Sequence, residues 1–121
     1  MEEFRFLDWK AYKDAKSLVK EIYSITRTFP QDFKYDIGSQ INRSSTSVAL
    51  NIAEGSGKNS DKDMGRFFDI AIGSTYETIA GLDMALDNQL ISERKFIQLS
   101  EEFKSVARQL GGFKKRLRSK N

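Results

Sequence analysis

The 121-residue chain contains no cysteine and no histidine. Without cysteine there is no disulfide, no thiolate nucleophile and no thiolate metal site. Without histidine the commonest general base and the commonest metal ligand are gone. A Ser-His-Asp triad and the Glu-x-x-His pairs of di-iron bundles are thereby excluded, and neither a metal nor a cofactor is expected. Proline occurs once, at Pro30, and glycine is sparse outside two clusters. No apolar run approaches the ~18 residues that a membrane-spanning helix requires. The opening "MEEFRFLDWKAYKD" has no apolar stretch of the signal-peptide kind. A chain without cysteine fits a reducing, cytoplasmic setting.

Charge is present but uneven. Lys and Arg number 20 against 17 Asp and Glu, a net charge of +3. No acidic residue follows Glu102, while the segment from Phe103 onward carries Lys104, Arg108, Lys114, Lys115, Arg116, Arg118 and Lys120. The rest of the chain is therefore net acidic. A basic end on such a body suggests nucleic acid or another acidic partner. The simpler explanation is that cations in a last helical turn complement the helix dipole.

Helical periodicity dominates the apolar residues. Ala11, Ala15, Leu18, Ile22, Ile25 and Phe29 step by 4, 3, 4, 3, 4. They predict a helix over 8–29, with Asp8 as its cap and Pro30 forcing the exit. Phe33, Ile37, Ile41, Val48 and Ile52, with small Ser44 and Ser45 among them, predict a helix over 34–54 closed by Gly55. Met64, Phe68, Ala71, Thr75, Thr78, Leu82 and Ala85 predict one over 61–88. That helix holds Gly65, Gly73 and Gly81, read as points of close helix packing. Phe96, Leu99, Phe103, Val106, Leu110, Phe113 and Leu117 predict a fourth over 93–118, capped by Ser92 and loosened at Gly111-Gly112. Four long helices with short joins make an all-α, antiparallel up-down four-helix bundle. A chain of this length buries roughly two thirds of its unfolded surface, so residues 1–121 form one domain.

The stretch "NIAEGSGKNSDKD", Asn51 to Asp63, resembles a phosphate loop at its centre. A Walker A loop needs G-x-x-x-x-G-K and then Ser or Thr, after a strand. Here the first glycine is too close, Asn59 follows Lys58, and a helix precedes. The segment reads instead as punctuation, with Ser60-x-x-Asp63 opening the next helix as a near capping box.

Polar residues beside the apolar faces are more informative. Gln40, Arg43, Ser47, Asn51 and Glu54 step by 3, 4, 4, 3 along the second helix, and Ser74 and Glu77 flank the core of the third. A half-solvated helix edge would look the same. The sharper expectation is a network of Arg43, Ser47, Asn51, Glu54, Ser74 and Glu77 between helices or subunits, since buried polar groups need partners. Glu54 and Glu77 are the only candidates for paired acid–base carboxylates, and no cleft for a substrate is evident, so no catalytic residue is assigned. Phe4, Phe6, Trp9, Tyr12, Phe33, Tyr35 and Phe67 exceed what a small bundle core holds and suggest self-association. Candidates for phosphate contact are Lys58, Lys62, Arg66, Arg108, Lys114, Lys115, Arg116, Arg118 and Lys120. With Phe113 the only aromatic near the basic tail, base stacking is not indicated there.

Three stretches also carry a family resemblance: "IYSITRTFP" (22–30), "SQINRSSTSVALNIAEGSGK" (39–58) and "RFFDIAIGSTYE" (66–77). Along nearly its whole length the chain resembles the four-helix bundle proteins encoded by intervening sequences of bacterial 23S ribosomal RNA genes, also labelled S23 ribosomal proteins. It departs from them at Asp36, where a Gly or Leu-type residue is usual, and at Ser44, where Ala is usual. The resemblance implies a ring-shaped homopentamer without catalytic residues. It also implies a likeness to the accessory variability protein of diversity-generating retroelements, a basic pentamer that binds nucleic acid and a reverse transcriptase. The expectation is a non-enzymatic, homo-oligomeric accessory protein that binds RNA or DNA electrostatically, with a reverse transcriptase-like enzyme as a candidate partner. The alternative is a protein-interaction scaffold with no nucleic-acid role.

Overall fold

A computed structural model describes residues 3–119, with the side chains of Arg118 and Ser119 outside the description. A 3₁₀ turn over Arg5–Asp8 leads into α1 (Lys10–Thr26). A single helical turn, α2 (Gln31–Lys34), is followed by α3 (Ile37–Ser56), α4 (Asp61–Asp87) and α5 (Glu93–Ser119). The four long helices form an all-α bundle in which α1 packs on α3, α3 on α4, α4 on α5, and α5 closes against α1.

Cross-helix partners meet in opposite order along three of these pairs. Thr26 Oγ1 donates to Asn42 Oδ1 at 2.8 Å and Tyr23 Oη lies 3.4 Å from Thr46 Oγ1, tying the end of α1 to the start of α3. Ser44 meets Thr78 and Ser47 meets Ser74. On the fourth side Gln109 donates to Asp14 at 3.0 Å, and Lys95 pairs with Glu21 at 3.1 Å.

The core is the apolar set that the periodicity marks. All seven positions of the α4 series are buried, and Leu99, Phe103, Val106 and Leu110 of α5 are wholly so. At a few kcal/mol for each fully buried large side chain, these stripes are what hold four helices together. Ser44 adds a hydroxyl to this interior, and its contact with Thr78 Oγ1 at 2.8 Å satisfies it.

Several boundaries differ from expectation. Asp8 ends the 3₁₀ turn, and Trp9 takes the N-cap position of α1 without a side-chain hydrogen bond. The helix stops at Thr26, three residues early, because Phe29 precedes Pro30 and so disfavours helical backbone. Phe29 nevertheless remains in the core, 4% exposed, folded back by a turn in which its N–H donates to Thr26 O. Gly55 does not close α3. It lies inside the helix and is buried, and a Cβ there would stand 3.0 Å from Phe67 Cβ and 3.2 Å from Phe68 Cε1. Its role is close packing, and Gly57 takes the cap.

Of the three glycines in α4, only Gly81 is a tight approach, with Ile41 Cγ1 at 2.8 Å from an added Cβ. Nothing lies within 4 Å of one at Gly73. Gly111 and Gly112 stay within continuous helix. Ser60 and Ser92 both cap, accepting from Asp63 N and Lys95 N at 3.1 Å. Of the aromatic surplus Phe4 and Tyr35 are exposed as expected, but Phe67 is buried and Phe6, Trp9, Tyr12 and Phe33 are half-buried; Leu50, Tyr76, Met84 and Ile97 are open as well.

Candidate nucleic-acid interface

The start of α1, the end of α3, the start of α4 and the end of α5 come together at one end of the bundle. Arg5 Nη2 reaches the carbonyl of Ser56 at 3.5 Å, and the rings of Trp9, Phe68 and Phe113 pack on one another with centroids 5.0 to 6.2 Å apart. This convergence gathers candidate cations from three remote segments.

Lys58 follows the cap of α3, its ammonium 4.7 Å from the centroid of Phe67, and the Arg66 guanidinium lies 4.8 Å from the same ring. Lys62 is exposed in the first turn of α4. Lys114 and Lys115 sit near the end of α5, with Arg116 beside them 5.4 Å from the Phe113 ring centroid.

Carboxylates stand among these cations. Lys114 is ion-paired with Asp69, and Arg66 lies 3.9 Å from Asp63. Together with Asp61, Lys62, Gly65 and Leu117 these residues line an open cleft of about 630 Å³ between α4 and α5. Its charge is mixed. Exposed pairs of this kind contribute about 0–1 kcal/mol each, so their main effect is to offset local potential. Lys62 and Lys115 make no ion pair among the described residues. Arg108 stands apart, exposed, further back along α5. Lys120 and the Arg118 side chain lie outside the described residues.

The polar stripe resolves into two parts. Ser47 Oγ and Ser74 Oγ are 2.9 Å apart across α3 and α4. Asn51 Nδ2 donates to Ser47 O at 2.9 Å and Ser47 Oγ at 3.0 Å. One turn deeper, Thr78 donates to Ser74 O at 2.8 Å. Arg43, Glu54 and Glu77 are exposed and do not join these bonds. Arg43 and Glu54 share a shallow groove between α1 and α3 with Tyr23 and Leu50. Glu54 lines that groove and Glu77 does not.

The family model described as 23S rRNA-intervening sequence protein matches residues 7–112. The chain belongs to this family. Its fold is also that of a crystal structure of a protein of unknown function from the S23 ribosomal protein family, from Bacteroides thetaiotaomicron VPI-5482. The TM-score is 0.80 at 19% identity, covering 87% of this chain and 98% of that one. No curated protein matches the chain.

In this member of the 23S rRNA-intervening sequence protein family, periodicity alone missed one arrangement. Trp9, from the opposite end of the chain, packs its ring against Phe113 of the basic tail at 5.0 Å. Helical spacing says which face a residue occupies, not which remote residue it meets. Only the antiparallel order of the first and last helical series carried that information.

Proposed function

We propose that this chain is a non-enzymatic, self-associating bundle that holds nucleic acid by its phosphates at the cationic end. The observation that supports it is the gathering of Lys58, Lys62, Lys115 and Arg116 from three segments, beside a tail without acidic residues. Neutralising three or four phosphates gives a salt slope of roughly −2.7 to −3.6, so affinity for RNA or DNA should fall about 40- to 150-fold between about 50 and 200 mM salt. No binding at the lower salt, or a tight complex insensitive to salt, overturns the reading.

Self-association is supported by open apolar side chains: Leu50 and Tyr23 on the α1–α3 side, and Ile70, Tyr76 and Met84 on α4. Light scattering tests it directly. The ring of five implied by the family resemblance gives five chain masses, and a monomer at micromolar concentration contradicts it. The same open side chains favour a second reading, a protein-interaction scaffold, whose complexes would survive nuclease. A nucleic-acid enzyme such as a reverse transcriptase belongs to the first reading, bridged by shared nucleic acid.

A further inference from the structure

Between the start of α1 and the end of α5 lies a second, smaller cleft of about 360 Å³. Its floor is aromatic. Trp9 and Phe113 meet there with ring centroids 5.0 Å apart and planes at 53°. Gly112 leaves the floor open, since a Cβ added there has only Arg116 Nη1 nearby, at 3.7 Å. The rim is cationic, formed by Lys10, Arg108 and Arg116. Lys10 is committed to Asp14 at 2.7 Å, and Asp14 also accepts from Gln109. Arg108 makes no ion pair among the described residues. The Arg116 guanidinium lies 5.4 Å from the Phe113 centroid.

An aromatic floor with guanidinium groups at its rim matches two parts of one ligand. A nucleobase offers a π-face to the rings, and its phosphate offers charge to the arginines. The volume is within the roughly 300–1,000 Å³ of small-ligand sites. A duplex cannot use the floor, because its bases are already paired and stacked.

We propose that this cleft is a subsite for one unpaired nucleotide of a single strand, the base on Trp9 and Phe113 and the adjoining phosphate on Arg108 and Arg116. The subsite rests on the phosphate-binding reading above and adds strand type to it.

Trp9 is the only tryptophan, so intrinsic fluorescence reads the cleft. The full chain is titrated with oligothymidylate, with an abasic strand of equal length, with duplex, and with thymidine monophosphate. Oligothymidylate should quench Trp9 and bind at least about five-fold more tightly than the abasic strand, the lower end of stacking on one ring. Gly112→Leu places a side chain in the cleft. It should abolish both the quench and the preference while helical circular dichroism stays unchanged. Arg108→Gln, at an exposed position, should weaken oligothymidylate more than duplex. Equal affinity for oligothymidylate and abasic strand, or a preference that survives Gly112→Leu, overturns the subsite and leaves the phosphate reading standing. Quenching by the free mononucleotide with no strand preference also overturns the single-strand assignment. If neither strand binds at low salt, both readings fall.

Discussion

Gly73 and Gly81 sit in the same helix, and the same substitution at each should have different consequences. Replacing glycine by alanine in a helix interior gains about 1 kcal/mol of propensity. At Gly73 an added Cβ meets no atom within 4 Å, so Gly73→Ala should stabilise by about 0.5–1 kcal/mol. At Gly81 the Cβ would lie 2.8 Å from Ile41 Cγ1, and Ile41 is 1% exposed. Carbon atoms rest at about 3.5–4.0 Å, so Ile41 or the helix must give way. Overpacking of this kind costs about 1–3 kcal/mol. The net for Gly81→Ala is between neutrality and about 2 kcal/mol of destabilisation.

Urea unfolding followed by circular dichroism measures both variants. With m near 1–3 kcal/mol/M, each kcal/mol moves the midpoint by roughly 0.3–1 M. The variants are compared at one protein concentration, because assembly adds concentration-dependent stability. A Gly81→Ala variant as stable as Gly73→Ala would refute the packing argument. Ile41→Ala supplies the second test. It costs about 2–5 kcal/mol alone, but it removes the obstructing atom, so Gly81→Ala should become stabilising in that background. Additive effects would again refute the contact.

Two further outcomes follow from local geometry. At the end of α4, Gln89 N donates to Leu86 O and Leu90 N to Ala85 O, a Schellman closure, with Gln89 at φ 62°. Glycine belongs at that position, so Gln89→Gly should stabilise by about 0.5–1 kcal/mol after its own entropy cost, read as a higher Tm; an unchanged or lower Tm contradicts it. Burial pushes the Asp14 carboxyl upward, yet hydrogen bonds from Lys10 and Gln109 outweigh it and hold the group below its ordinary value. Its folded pKa is thus below its unfolded one, so its contribution is present above the ordinary carboxylate range and lost as pH falls through the lowered value. Asp14→Asn should lie below the parent in stability near neutrality and converge with it in acid; parallel pH profiles would show that Asp14 contributes nothing.

The core was legible in the sequence because burial follows the backbone period. Every apolar position assigned to α4 is buried, and those of α5 from Leu99 to Leu110 are buried with them. What periodicity cannot carry is the route between helices. Phe29 keeps the period but belongs to a turn, because a proline neighbour ended the helix without removing its side chain from the core. Gly55 looked like a stop because glycine often ends helices. Only the Phe67 Cβ and the Phe68 ring against it show that the missing Cβ makes room for α4. The polar stripe was legible as a stripe, but Ser47 and Ser74 are short enough to bond across the α3–α4 seam, with Asn51 bonded to Ser47 within α3, while Arg43, Glu54 and Glu77 are exposed.

The cationic end shows how far helix dipoles account for charge placement. In neighbouring antiparallel helices the N-terminus of α4 adjoins the C-terminus of α5. Dipole complementarity favours acids on the first and bases on the second. Asp61 and Asp63 on α4 and Lys114 and Lys115 on α5 obey that preference, and the Lys114–Asp69 and Arg66–Asp63 pairs extend across the same region. Charges of this kind fit a purely structural role and offset one another. Lys62 does not fit it: a cation in the first turn of α4 works against the dipole, and it makes no ion pair among the described residues. Arg108 lies too far from the end of α5 for the dipole, which fades within the last turn, and it too makes no ion pair among the described residues. Charges that the helices do not require carry more functional information than the longer basic run that drew attention in the sequence. They fall beside the two clefts, Lys62 at the α4–α5 end and Arg108 over the Trp9–Phe113 floor.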